Sequence, residues 1–245
     1  MNKLKIVEVD SGQQKSAPGS ILKQHAMQAR MELLWKNDPG QFDPMRNVRE
    51  QQRLDKTKAM LQKHLDLQGL RVLDLGAGSG KLTVWLQEAG AHTMAVDTAS
   101  LALAHIPDAI EKRRETLPVT SLPDAYFDLV ILADVIASIP SPYHRLCIFE
   151  LSRVMKKEGR LLLSTALDID SENPIIPFNA LLRTEFEILE QTLSYHRLHL
   201  RASRWFKGIN KSKKWLKKLE YLTELLWGEE GASHVIAFAK KKKLA

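Results

Sequence analysis

The segment Val72-Leu73-Asp74-Leu75-Gly76-Ala77-Gly78-Ser79-Gly80 constrains this chain more than any other stretch. A short apolar run of the kind that makes a buried strand breaks into three glycines at alternate positions, and a helical segment follows over residues 80–89. Glycine lets the backbone turn through positive φ and lets a ligand approach with no side chain in the way. The start of the following helix offers unpaired N–H groups and a partial positive charge. A second apolar run ends in Asp97, at the spacing of a neighbouring strand, where an acid can accept hydrogen bonds from ribose hydroxyls. Strand, glycine turn, helix and strand-end acid together describe the nucleoside-binding corner of an α/β sheet.

The glycine spacing separates the ligands that compete for such a corner. A dinucleotide turn places glycines first, third and sixth; here those positions hold Gly76, Gly78 and Lys81, so the last glycine is missing. A P-loop needs a glycine five residues before Gly80-Lys81 and a hydroxyl residue after the lysine, but Leu75 and Leu82 stand there. What remains, Asp-x-Gly-x-Gly-x-Gly from Asp74 to Gly80, resembles the first motif of class I S-adenosylmethionine-dependent methyltransferases. In that family the loop faces the methionine half of the cofactor and needs no phosphate-binding lysine. The bland alternative is a strand that merely turns tightly into a helix.

The resemblance continues downstream in the family's order. Ala95-Val96-Asp97 is similar to its second motif, and Phe127 to Val135 to its fourth strand, which ends beside the reacting sulfonium. Leu151 to Ser164 is similar to the helix, turn and fifth strand that follow, with Lys157-Glu158-Gly159-Arg160 in place of the usual Lys-Pro-Gly-Gly. The resemblance implies that Asp74, Gly76, Ala77, Gly78 and Gly80 hold the methionine end of the cofactor, with Asp74 reaching the amine directly or through water. It places Asp97, with Thr98 beside it, at the ribose, and the backbone of Leu132 and Ala133 along the methionine portion. Relatives commonly place an acid before a Leu-Pro pair to meet adenine. Counting back from Leu122-Pro123 gives Pro118 or Val119, neither an acid, which leaves backbone groups near Leu117 to Val119. Phe42 to Arg49 and then Arg53 precede the first strand, where small-molecule methyltransferases carry a cap. Arg53 there can pair with the methionine carboxylate bidentately, or lie on a solvated helix face.

An activated sulfonium methyl moves by in-line displacement, in which the protein's main work is positioning. A general base is needed only for a hydroxyl or an acidic carbon acceptor. Asp134, Tyr143 and His144 follow the fourth strand and are the catalytic candidates. Each has a structural reading too; Asp134 can equally cap the next turn. Ubiquinone O-methyltransferases, similar in general plan, carry a metal-holding Glu-x-x-Glu-His here. Asp134, Ala137 and Ser138 stand in its place, so no metal is expected. The expected function is methyl transfer to a small molecule, a quinone precursor or another hydrophobic metabolite. RNA or protein methylation and a non-catalytic cofactor-binding protein remain as alternatives. Against two RNA versions, Ala133-Asp134-Val135-Ile136 is not the Asn/Asp-Pro-Pro-Tyr of amino-methylating enzymes, and Cys147 lies on the apolar side of a predicted helix rather than in a nucleophile's position.

At 245 residues, 44% hydrophobic and 27% charged, the chain suits one α/β domain with additions. Its single cysteine, Cys147, excludes an internal disulfide and suits a reducing compartment. No run approaches the ~18 apolar residues of a membrane span. The N-terminus, with Glu8 and Asp10, does not read as a signal peptide, so a cytoplasmic location is expected. Residues 1–66 read as a flexible segment and a helical cap, with helices at 21–37 and 45–66 separated by Asn37-Asp38-Pro39-Gly40. Residues 67–245 read as the methyltransferase domain. Strands are expected near 71–75, 92–96, 127–132 and 160–166, from Phe186, and at His234 to Ala239; helices fall near 80–89, 99–105 and 144–157, with a short one after Pro177. This alternation predicts a doubly wound, Rossmann-like, seven-stranded and mostly parallel sheet with an antiparallel C-terminal strand.

Charge is unevenly spread. From Arg197 onward thirteen Lys/Arg face four Glu, net +9, while the remaining 23 basic and 25 acidic residues give −2. Within that end a basic helical insertion is predicted at residues 207–230, where Trp215, Leu216, Leu219, Leu222, Leu225 and Leu226 recur at helical spacing behind a lysine-rich start. A core-packing helix with a solvated basic face is the commonest meaning of that pattern. Peripheral membrane contact through residues 211–227 is a second reading, and nucleic-acid contact a weaker third.

Overall fold

The computed structural model describes residues 18–46, 48–168, 175–205, 208 and 211–243. The expected flexible start falls for residues 1–17 outside the described residues, as do parts of the expected insertion around residues 206–210.

Two helices, α1 (Pro18–Asn37) and α2 (Val48–His64), precede the alternating core. The core runs β1 (Arg71–Leu75), α3 (Lys81–Glu88), β2 (His92–Asp97), α4 (Ser100–Leu103), β3 (Glu111–Arg114), β4 (Phe127–Ala133), α5 (His144–Val154) and β5 (Met155–Ala166). It continues through α6 (Ile175–Leu182), β6 (Phe186–Ser194), α7 (Arg197–Trp205), α8 (Lys213–Trp227) and β7 (His234–Lys241). The seven strands form one sheet in the order β3-β2-β1-β4-β5-β7-β6. Strands β1 to β5 are parallel, and β7 runs antiparallel to both its neighbours.

The central strands are apolar along their length because helices cover both faces. Side chains alternate across a strand. Leu73, Val130 and Leu132 therefore join Cys147, Ile148 and Leu151 of α5 in one core. Val72, Leu129 and Ile131 join Leu82 and Leu86 of α3 and Met60 and Leu61 of α2 in the other.

Several elements depart from expectation. Glu111-Lys112-Arg113-Arg114 forms an edge strand paired only with β2; being largely exposed, it needs no apolar alternation and carries no signal. Helix α5 stops at Val154 rather than 157, because Met155 is already extended and pairs with Phe127. Residues 156–159 then bulge out before Arg160 resumes the ladder opposite Leu129. The helix expected at 99–105 is a single turn, Ser100–Leu103, and α7 was not expected at all.

The N-terminal helices are pinned over the sheet's carboxyl edge. The Glu32 carboxylate accepts from the N–H groups of Ser100 (2.6 Å) and Leu101 (3.2 Å), capping α4 from α1. Gln28 donates to Thr116 Oγ1 at 2.8 Å, and Trp35, 3% exposed, packs on Ala99 and Ala102. From α2, the Lys56 ammonium bonds Leu193 O, Ser194 Oγ and Glu220, tying it to β6 and α8. Among the described residues no helix is long and apolar enough to cross a membrane.

Candidate active site

The turn after β1 is shaped by two glycines for which a side chain has no room. Gly76 (φ 80°) and Gly80 (φ 76°) adopt the left-handed region, and a Cβ would come 2.1 Å from Val135 and 2.6 Å from Ile106 respectively. The N–H groups of Gly76 and Ala77 both donate to Val96 O, locking the turn to the end of β2. Asp97 completes the clamp: its Oδ2 accepts from Gly78 N at 3.0 Å and its Oδ1 from Ala99 N at 2.9 Å. Only 7% of Asp97 is exposed, and burial pushes its carboxyl above the ordinary range against the pull of those backbone donors. Each oxygen keeps a further lone pair for a ligand hydroxyl.

Asp74, 2% exposed at the end of β1, accepts from Thr83 Oγ1 at 2.6 Å. Burial first, and the nearby Asp97 charge second, push it up to about 6. A cationic ligand group beside it would relieve both effects.

These groups open into a cavity of about 410 Å³, within the range of small-molecule sites. Of the expected cofactor residues, Asp74 lines it from the end of β1, Gly76, Ala77 and Gly78 from the loop, Asp97 and Thr98 from the end of β2 and just beyond it, Leu117 from the segment after β3, Ala133 from β4 and Arg53 from α2. Gly80 lies off the wall and acts through the shape of the loop, while Leu132 is fully buried beneath Ala133. Met27, Met31 and Trp35 of α1 roof the cavity.

At the far end, Asp134 lines the wall with φ 58°, its N–H donating to Ser164 O. His234 Nε2, at the start of β7, donates to Asp134 Oδ1 at 2.6 Å, and Arg53 Nη1 lies 3.8 Å from Oδ2. Burial works to raise Asp134, but His234 and Arg53 outweigh it and hold the carboxyl below the usual range. His234 is fully buried, and among the described residues its Nδ1 has no hydrogen-bond partner.

The other catalytic candidates sit elsewhere. His144 Nε2 bonds Ile139 O at 2.7 Å, and Tyr143 packs against the core; neither lines the cavity. His144 thus props Ile139, which does line it. Burial, with Glu150 adding to it, pushes the Cys147 thiol up to about 12, which makes it inert as a nucleophile. Asp134 is paired with His234, and among the described residues no group of three or more His, Cys, Asp or Glu side chains is arranged to hold a metal. Glu50 and Thr57 of α2 and Glu115 after β3 also line the wall and carried no local signal, while Asp43 and Ser164 line it from segments singled out only as a cap and a strand. Glu115, two residues before Leu117 of the expected adenine end, accepts from Ser121 Oγ and N.

A methyltransferase-domain family matches residues 73–163. A ubiquinone biosynthesis O-methyltransferase of Idiomarina loihiensis is 28% identical over 165 residues, 63% of this chain and 63% of that protein. Its counterpart in Cereibacter sphaeroides is 27% identical, over 62% of this chain and 64% of that one. Both matches therefore span less than two thirds of the relative. Among solved structures, a Burkholderia thailandensis 1,6-didemethyltoxoflavin-N1-methyltransferase with bound S-adenosylhomocysteine shares 17% identity at TM-score 0.61, covering 96% of this chain and 94% of that one. A Mesorhizobium loti S-adenosylmethionine-dependent methyltransferase shares 19% at TM-score 0.55, covering 76% and 96%. Residues 73–163 thus match a methyltransferase-domain family, and the sheet that contains them has the fold of these solved S-adenosylmethionine-dependent methyltransferases.

Proposed function

We propose that this protein binds S-adenosylmethionine in the cavity and methylates a small, largely apolar acceptor. The observation that carries the reading is the buried Asp97 carboxylate, clamped by Gly78 and Ala99 at the mouth of a glycine loop. The residues fit the cofactor. Asp97 retains acceptor capacity for a ribose diol, Asp74 favours a neighbouring ammonium, and Arg53 offers a guanidinium to a carboxylate or to the acceptor. When bound, the cofactor supplies an activated methyl on a sulfonium, so the chain's contribution is alignment and exclusion of water. Met27, Met31 and Trp35 close the cavity from above.

Asp134 is the acceptor-side group we assign. His234 and Arg53 hold it ionised, so it accepts a hydrogen bond from an acceptor hydroxyl or amine and orients that group toward the methyl. A carboxylate held this far below neutrality is a weak base, which suits an acceptor that loses its proton late or already has a lone pair. Leu54, Val135 and Ile139 give the acceptor end an apolar lining. Together with the two similar ubiquinone-biosynthesis enzymes, this supports a hydrophobic metabolite such as a quinone precursor. The test is transfer of labelled methyl from the cofactor to a panel of phenolic and quinol acceptors, and to extracted metabolites and RNA. Label should enter a small-molecule fraction, and Asp134→Asn should slow transfer by about 10²-fold with cofactor binding intact. Label confined to RNA, or none anywhere despite cofactor binding, contradicts the proposal.

A further inference from the structure

We propose that α8, with the adjoining end of α7, docks this protein onto an anionic lipid bilayer. The inward side of α8 is spent on the fold: Leu216 and Thr223 are buried, and Glu220 bonds Gln52 and Lys56 of α2. The outward side is unusually apolar for a surface. Trp215 is 49% exposed, Tyr221 63%, Leu225 66% and Leu226 62%, and Trp205 at the end of the neighbouring α7 is 83% exposed. Around them Lys213, Lys214, Lys217 and Lys218 are all exposed, with Lys211 just before the helix. The Lys218 ammonium lies 5.4 Å from the Trp215 ring centroid.

Neither half of this arrangement serves the helix itself. Lysines in a first turn oppose the helix dipole, and exposed Trp and Leu gain nothing from water. Together they make the pattern of a helix lying in a membrane interface, where aromatic and aliphatic side chains enter the headgroup boundary and lysines meet anionic lipid. The charge is complementary to that surface and local to it: from Arg197 to Lys218 the sequence has nine Lys/Arg and no acid. Apart from the inward-facing Glu220, the acids of this region, Glu224, Glu229 and Glu230, gather at the C-terminal end of the helix, so the lysine-rich end meets the headgroups. A nucleic acid would engage the lysines but leave Leu225, Leu226 and Trp205 wet. Through Glu220 the docked helix contacts Gln52 and Lys56, beside Arg53 of the cavity wall. Delivery of an apolar acceptor from the bilayer would rest on the methyl-transfer reading; binding to vesicles does not.

The experiment is co-sedimentation of the full chain with phosphatidylcholine vesicles, with and without phosphatidylglycerol. The protein should partition to the anionic vesicles and not to the neutral ones. Each lysine near an anionic leaflet contributes roughly fivefold to partitioning, so K213Q/K214Q/K217Q/K218Q should reduce it by at least about tenfold. W215S/L225S/L226S should produce a comparable loss, with circular dichroism unchanged in both. K242Q/K243Q, which removes charge from the end of β7, should bind as the unaltered chain does. The proposal is overturned by absence of binding to anionic vesicles, by equal loss in K242Q/K243Q, or by full binding of the apolar variant. It is likewise overturned if single-stranded RNA, and not vesicles, is bound in a manner sensitive to the four lysines.

Discussion

At the scale of single residues, Asp74 holds the sharpest tension in the site. Its carboxyl is fully enclosed and sits near Asp97, which raises it from 3.8 to about 6. A carboxyl raised in the fold favours the native state while protonated, and that advantage disappears as pH rises through about 6. Above pH 7 the ligand-free protein therefore carries an ionised Asp74 at a cost of about 1–3 kcal/mol. Asp74→Asn keeps an acceptor for Thr83 and removes the charge. Thermal unfolding should show it more stable than the unaltered protein at pH 8 and no different at pH 4, while calorimetry shows weaker cofactor binding. The unaltered protein's affinity should climb between pH 5 and 7 as the carboxylate ionises. Greater stability of the substitution at pH 4 than at pH 8 would contradict this assignment. Asp74 and Asp97 were legible in the sequence because strand, glycine and acid lie at fixed local spacings. Glu50, Glu115 and His234 were not, because they reach the site or its edge from separate elements, and only the folded chain brings them together.

At the scale of elements, α1 decides whether the cavity is closed. It is anchored by few contacts, chiefly Trp35 on α4 and the Glu32 cap of that short helix. Trp35→Ala removes a buried aromatic, a change that costs about 3–5 kcal/mol in a well-packed core, and here the loss should fall on the docking of α1. Limited proteolysis should then cut within Pro18–Asn37 faster, while residues 71–243 stay resistant and cofactor affinity drops about tenfold. Global unfolding of the sheet in this variant would show instead that α1 is part of the main core. The main strands could be read because burial on both faces writes a continuous apolar run. Strand β3 could not, since an exposed edge asks nothing of its side chains beyond a backbone ladder. Helix α7 could not be read because the side chain it buries is His199, while Leu198 and Leu200 beside it are only half-buried, so no apolar stripe marks it.

At the scale of the whole molecule, the order β3-β2-β1-β4-β5-β7-β6 reverses direction beside β1 and β4, and open α/β sheets bind ligands at that reversal. The glycine loop, Asp97, Ala133 and Asp134 meet there, and the N-terminal helices roof them. Everything proposed about chemistry depends on that crevice holding S-adenosylmethionine through Asp97. Isothermal titration of the cofactor into the full chain and into Asp97→Ala tests this most directly. Binding to the unaltered chain, weakened by roughly 30-fold or more in Asp97→Ala as two charge-assisted hydrogen bonds are lost, is the predicted result. Equal affinity in the two folded proteins, or no binding by either, would contradict it.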